Sequence, residues 1–319
     1  MPENKLSVVG LFAGVGGIEV GFKRAGFEVA LANEIDQYAA ATYRKNHTQT
    51  LVVGDIANLE SGQLPNRFDV LTGGFPCQPF SVAGYRRGFH DERGNVYWHI
   101  ERLFRETSPE VVFLENVKNL MTHDSGNTFA TIQASLEDHG YTVFAKVLNA
   151  KEYGNIPQNR ERIYIVAFKS GEAASRFSWP SPVKLTKQVR DLIDFDLKVD
   201  DKYYYDARRP FYDLLAESIT ERGIVYQWRR QYVRANKSGD CPTLTANMGM
   251  GGHNVPLILT KFGIRKFTPA ECFAMMGFPK LNFPDGMADS RLYKQAGNAV
   301  VVPVITAIAK QIRKALESS

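Results

Sequence analysis

Cys77 stands in the stretch GGFPCQPFS (73–81), directly after an apolar run and flanked by Pro76 and Pro79. Proline fixes its own φ and offers no N–H, so the thiol is expected on a rigid, irregular turn and not inside a packed element. Glu115 stands in ENV (115–117), which closes the apolar stretch EVVFLENV (110–117), and Arg160 and Arg162 in QNRERIY (158–164) lead into another. A thiolate can add to an electron-poor carbon, a carboxyl group can give or take a proton, and a guanidinium can hold a carbonyl oxygen. The plainer alternative is an ion pair between Glu115 and an arginine, with Cys77 inert.

A second set of residues suits a bound nucleoside. FAGVGG (12–17) joins a strand-like run to a helix-like one, and its glycines allow a ligand close to the backbone at a helix N-terminus. Glu34 follows in NEID and Asp55 in GDI, each at the end of an apolar run. In an open α/β sheet such acids lie at the carboxyl edge, where ligands bind. There Glu34 would accept from ribose hydroxyls and Asp55 from an adenine amino group. A tight turn with two capping acids is the bland reading of the same residues. A nicotinamide oxidoreductase would also use a glycine loop and a strand-end acid, but it gives the proline-flanked cysteine no task.

The elements that must hold these groups follow from hydrophobic patterning. Apolar, β-branched runs at 7–13, 28–35, 50–56, 68–75, 110–117, 141–150 and 162–169 predict strands buried on both faces. Between them, 18–26, 37–47, 95–107 and 127–138 have helical spacing, as in Phe129, Ile132 and Leu136. The alternation predicts a doubly wound, mostly parallel α/β sheet. After Phe168 the rhythm stops, and the chain to about Lys261 reads as a separate irregular module rich in aromatic and basic residues. The last stretch predicts a helix with Val304, Ile305, Ile308, Ile312 and Leu316 on one face.

Bulk properties narrow the classes. The chain has 319 residues, 44% hydrophobic and 23% charged, as in an ordinary globular protein. No run is long enough for a membrane helix, and the N-terminus lacks the parts of a signal peptide. Three cysteines with isolated spacings make neither a disulfide framework nor a zinc site, so no metal is expected; Cys241 and Cys272 are expected to pack. A reduced, cytoplasmic setting follows. The net charge of +5 suits a polyanionic partner without demanding one.

The blocks FAGVGG, NEID, GDI, GGFPCQPFS, ENV, QNRER, RKFTPAECFAMMGFP (265–279) and YKQAGNAVVVP (293–303) come in an order that resembles the DNA cytosine-5 methyltransferases, especially the compact bacterial enzymes of restriction–modification systems. The resemblance spans nearly the whole chain except about 180–264. It implies an S-adenosyl-L-methionine-dependent methyltransferase sheet with a smaller target-recognition domain, divided as 1–180 plus 284–319 and 181–283. It implies methyl transfer to carbon 5 of a cytosine flipped out of double-stranded DNA within a short specific sequence. Cys77 would add to carbon 6, Glu115 would engage the N3 edge, Arg162 would orient the base and Arg160 would support the site.

By the same resemblance Phe12, Gly14, Gly16, Gly17, Glu34, Asp55, Ile56, Pro76, Asn298 and Val300 would hold the cofactor. Ser81, Arg86, Arg87 and Arg93, in the loop after the cysteine, would contact phosphates. Arg229, Arg230 and Thr243, in the irregular segment, would help choose the target. The implied setting is the bacterial cytoplasm, on chromosomal DNA, as a monomer. A cognate restriction endonuclease would act on the same site without stable binding. Two rivals remain: a transfer-RNA enzyme of the same family, and a catalytically inactive nucleic-acid-binding regulator.

Overall fold

The computed structural model describes residues 5–76, 96–209, 211–229, 231–250 and 254–317. The described chain divides into two compact units, one of 1–148, 161–181 and 304–319, the other of 149–160 and 182–303. Among the described residues no helix is long and apolar enough to cross a membrane.

The first unit is built on seven strands: β1 (Ser7–Leu11), β2 (Glu28–Glu34), β3 (Thr50–Val53), β4 (Val70–Gly74), β5 (Val111–Val117), β6 (Thr142–Asn149) and β7 (Glu161–Phe168). Their order in the sheet is β3-β2-β1-β4-β5-β7-β6. β1 runs parallel to β2 and β4, β2 to β3, and β4 to β5, while β7 is antiparallel to β5. The winding reverses between β1 and β4, the topological position at which open α/β sheets bind ligands beyond their carboxyl ends. The loop from Phe12 and the turn entered at Phe75 leave the sheet on either side of that point.

Central strands read as near-continuous apolar runs because both of their faces are covered: Val111, Val112, Phe113 and Leu114 are all 0% exposed. On one side pack helices Val96–Thr107 and Asn127–Asp138, the latter through Ile132 and Leu136 with Phe129 beside them. Helix Gly17–Arg24 lies against the terminal helix Val302–Glu317, where a methyl group on Gly21 would fall 2.4 Å from Ile305 Cγ2. Val304, Ile305, Ile308 and Ile312 are buried as their spacing predicts, while Leu316 is half-buried.

The segment after Phe168 is less irregular than its sequence suggests. It begins with the short helix Gly171–Arg176, capped by Ser170, which accepts from Ala173 N at 3.3 Å. Farther on, β8 (Val225–Trp228), β9 (Val233–Asn236), β10 (Leu257–Thr260) and β11 (Gly263–Lys266) form a separate sheet in the order β11-β10-β8-β9. β10 runs antiparallel to both β11 and β8, and β8 to β9. Strands of four residues are too short to stand out from hydrophobic alternation alone. Leu215, Tyr226, Leu257 and Ile264 form the core beneath this sheet.

Candidate active site

The glycine loop takes its shape from unusual backbone angles. Phe12, Gly14 and Gly16 all have positive φ, at 55°, 57° and 92°. A positive φ at a residue such as Phe12 costs energy and is retained only where surrounding contacts impose it. The carboxylate of Glu34 holds the loop by accepting from Gly14 N through Oε2 at 2.7 Å, and its Oε1 accepts from Asp36 N at 2.7 Å. Asp36 then caps helix Gln37–Asn46 by accepting from Tyr38 N and Ala39 N. One acid at the end of β2 therefore fixes both the loop after β1 and the start of the next helix. Next to it, Asn33 Nδ2 donates to Val52 O and Gly54 O, which fastens the end of β3.

Asp55 lies just past β3, which stops at Val53, and not at the strand's last residue. It caps the 3-10 turn Ile56–Asn58 by accepting from Ala57 N at 2.9 Å, and its side chain is exposed. Ile56 is 3% exposed and belongs to the core. Arg102 Nη2 holds the turn from below, donating to Ile56 O and Leu59 O at 3.2 and 2.7 Å. Gly17 opens helix Gly17–Arg24, and Pro76 is exposed at the end of its described segment. Asn298, the last residue of helix Asp289–Asn298, and the buried Val300 belong to the second unit.

His47 is a contributor that the sequence reading missed. Its Nε2 lies 2.9 Å from Val15 O, and a methyl group on Gly16 would fall 2.2 Å from that nitrogen. Accepting capacity at a carbonyl requires Nε2 to carry the proton. Burial lowers the pKa of His47, so a neutral ring that donates here is favoured. A histidine more than thirty residues from the loop carries no local signal in sequence.

Glu19, in the helix after the loop, is 2% exposed, and among the described residues neither carboxylate oxygen has a hydrogen-bond partner. Burial, with a smaller contribution from Glu34, raises its pKa to about 8. The folded protein keeps this proton in a window where the unfolded chain, with an ordinary value near 4.5, has lost it. Stability from this group is therefore full below about pH 4.5 and falls as pH rises through about 8. Glu19→Gln should gain on the wild type in thermal melts as the pH is raised from 5 to 8. Parallel melting curves across that range would show that Glu19 does not titrate this way.

At the β5 end, Glu115 is 8% exposed and Arg162 Nε lies 3.2 Å from its Oε1. Glu115 pairs in register with Tyr164, and Arg162 with Val117, so the ion pair is diagonal across two antiparallel strands. The ion pair of the plainer reading is thus present. A methyl group on Gly74, the register partner of Glu115 on β4, would approach Oε2 to 3.4 Å. The neighbouring Asn116 donates through Nδ2 to Phe75 O at 3.0 Å and accepts from Val117 N through Oδ1. ENV therefore ties down the chain immediately before Pro76, a positioning task that its sequence does not announce. Cys77 itself, with Ser81, Arg86, Arg87, Arg93 and Arg230, lies outside the described residues.

Arg160 is 3% exposed and donates to three main-chain carbonyls in the second unit: Leu244 O at 2.6 Å, Gly297 O at 3.0 Å and Ala299 O at 2.7 Å. Gln158, 0% exposed, donates to Met275 O and accepts from Leu244 N. Thr243 donates its hydroxyl to Asn159 O. QNRER is therefore also a clamp for the Thr243–Leu244 segment. Arg229 is exposed, with Nη2 donating to Gln227 Oε1 at 3.0 Å. Cys241 and Cys272 are fully buried, and burial raises both thiol pKa values, consistent with packing. Among the described residues no His/Cys/Asp/Glu group could hold a metal ion.

The sheet, its switch-point loop and the acids at its carboxyl edge define an open, mostly parallel α/β fold of the kind that binds ligands beyond its carboxyl ends. Residues 6–314 match the family model of C-5 cytosine-specific DNA methylase, and the chain belongs to that family as a DNA (cytosine-5-)-methyltransferase. It is 53% identical over 314 residues to the Type II methyltransferase M.Bsp6I of Bacillus sp. (strain RFL6), covering 98% of this chain and 99% of that one. It is 35% identical to the Type II methyltransferase M.HhaI of Haemophilus parahaemolyticus, covering 98% and 95%. The fold is similar to the S. pombe Dnmt2 methyltransferase at a TM-score of 0.75 and 19% identity, covering 98% of this chain and 100% of that one.

Proposed function

We propose that this protein methylates carbon 5 of a cytosine within a short DNA sequence, as the modification enzyme of a restriction–modification system. The 53% identity to a Type II methyltransferase over nearly both full lengths is the observation that carries this reading. S-adenosyl-L-methionine supplies the electrophilic methyl group when bound. The loop fits a nucleoside cofactor: a Cβ built on Gly14 meets nothing within 4 Å, so the loop opens onto space. With both oxygens already accepting from main-chain N–H groups, Glu34 still has lone pairs for ribose hydroxyls. Phe12, Gly14, Gly16 and Glu34 would hold the ribose side, and the exposed Asp55 would accept from the adenine amine.

Carbon 5 of cytosine is too weak a nucleophile to take a methyl group unaided. Addition of the Cys77 thiolate to carbon 6 pushes the ring electrons toward carbon 5, which would form the new carbon–carbon bond to the methyl group as the methyl–sulfur bond breaks, its electron pair leaving with sulfur as S-adenosyl-L-homocysteine. Loss of the carbon 5 proton to a base, and departure of the thiolate from carbon 6, restore the ring. Glu115 donates to N3 and accepts from the exocyclic amine, while Arg162 holds Glu115 and aims at the base carbonyl. A stacked cytosine is out of reach of these groups, so the base leaves the duplex.

Functionally, 1–180 with 284–319 would supply cofactor and chemistry, and 181–283 target choice. These limits differ from those of the compact units, since 284–303 packs with the second unit. A chain carrying all these parts works as a monomer, and an endonuclease of the same specificity need only share its site. Ser81, Arg86, Arg87 and Arg93 would grip phosphates.

Bisulfite sequencing of DNA from cells expressing the protein should find one short motif protected at cytosine, and no protected motif would overturn the reading. Asp55→Ala should weaken binding of S-adenosyl-L-methionine by about 1–3 kcal/mol, as expected for loss of a hydrogen-bond partner. Calorimetry giving wild-type affinity would remove Asp55 from the site.

A further inference from the structure

The sheet of β8 to β11 has one apolar and one polar face at its β8–β9 end. In that hairpin Tyr226 pairs with Ala235 and Trp228 with Val233, and these four pack with the small core. The alternate positions put Gln227 directly opposite Arg234, and Val225 opposite Asn236. Val225 is buried, and Gln227, Arg234 and Asn236, with Arg229 just beyond β8, line one wall of a cleft of about 460 Å³ that Thr243 lines as well. Its acid, Asp240, is 9% exposed and lies 3.5 Å from Lys151 Nζ.

The hydrogen bonds in this cleft sort its side chains. Asn236 Nδ2 donates to Asp240 O at 2.7 Å, so that amide is committed to the fold. Gln227 accepts from Arg229, which fixes the plane of the guanidinium while leaving it further N–H groups. Among the described residues neither Arg229 nor Arg234 has an acidic partner. Two exposed guanidiniums thus project from one strand pair, and they are donors only. In the major groove guanine alone presents two adjacent acceptors, O6 and N7. Adenine sets a donor beside its acceptor, which arginine cannot satisfy.

We propose that the polar face of the β8–β9 hairpin enters the major groove and reads guanine, with Arg234 and the Gln227-braced Arg229 as the reading groups. The target sequence then contains guanine at fixed positions on at least one strand besides the partner of the methylated cytosine. The inference rests on the reading of 181–283 as the segment that chooses the target.

The test is bisulfite sequencing of a plasmid library with randomised bases around the wild-type motif, methylated by wild type, Arg234→Ala, Arg229→Ala and Gln227→Ala. Each arginine variant should lose about 10- to 100-fold discrimination at one guanine position and keep it elsewhere. Gln227→Ala should relax the same position as Arg229→Ala, more weakly. Arg234→Lys should recover part of the preference, since lysine also donates to guanine.

A wild-type motif without such guanines would overturn the proposal. So would arginine variants that methylate all sequences equally more slowly, with a shallower salt dependence, because that marks phosphate contacts. Grafting 181–283 onto a relative of different specificity separates the two failures. A chimera that keeps the recipient's motif refutes the recognition segment itself. A chimera that carries this protein's motif, together with unaltered guanine preference in the variants, refutes only the hairpin assignment.

Discussion

Cys77→Ser should lose turnover by on the order of 10⁴-fold or more, as removal of a covalent nucleophile does. It should also fail to form a denaturant-resistant complex with DNA carrying 5-fluorocytosine at the target. Fluorine cannot leave carbon 5 as a proton does, so after methyl transfer the wild-type enzyme stays joined to carbon 6. A hydroxyl in place of the thiol is far less acidic and cannot form that adduct at neutral pH. Gel electrophoresis after denaturation reads the outcome directly, and a serine variant that crosslinks as well as wild type would assign the nucleophile elsewhere. Glu115→Gln is a useful companion, since it keeps the side-chain shape while removing the titratable proton.

Arg160→Met should be the most damaging substitution outside the reacting groups. The methionine fills part of the same volume, but the carbonyls of Leu244, Gly297 and Ala299 lose a buried donor together. At about 1–3 kcal/mol for each stranded group, and with partial relaxation, a loss of about 3–5 kcal/mol is expected. Arg160→Lys should recover little, because a single ammonium cannot reproduce the fork of the guanidinium. Denaturant unfolding measures the loss, and a methionine variant of wild-type stability would show that these bonds contribute little.

The two arginines of QNRER illustrate how far the sequence could be read. The resemblance implies Arg162 at the base with Arg160 in support, but the sequence does not say what each guanidinium holds. Arg162, on β7, meets Glu115, while Arg160, one residue before the strand, points its donors at backbone carbonyls of the second unit. The major strands were legible because long apolar runs have few alternatives in a sheet covered on both faces. The β8–β9 hairpin was not, because each strand has only four residues and its apolar members face a small local core.

Glu34 was legible as a strand-end acid, but its bonds to Gly14 and Asp36 depend on the loop's three-dimensional path. His47, Asn116 and Arg102 were silent in sequence for the same reason: each holds a main-chain carbonyl remote along the chain.

The clamp on Leu244 holds groups that nearly every amino acid possesses. Gln158 accepts from its amide and Arg160 donates to its carbonyl, so these two bonds ask nothing of the side chain, proline excepted, although the Leu244 side chain is itself buried. Just beyond Leu244 the fit is close, since a methyl group on Gly297 would fall 2.2 Å from Thr245 C and one on Gly249 2.2 Å from Ser290 O, so room to vary lies outside this stretch. On the proposed reading of 181–283 as the segment that chooses the target, new specificities can be acquired by trading stretches attached to this clamp. On that reading the socket lets target choice evolve at a pace that the chemistry proposed for Cys77 and Glu115 does not have to follow.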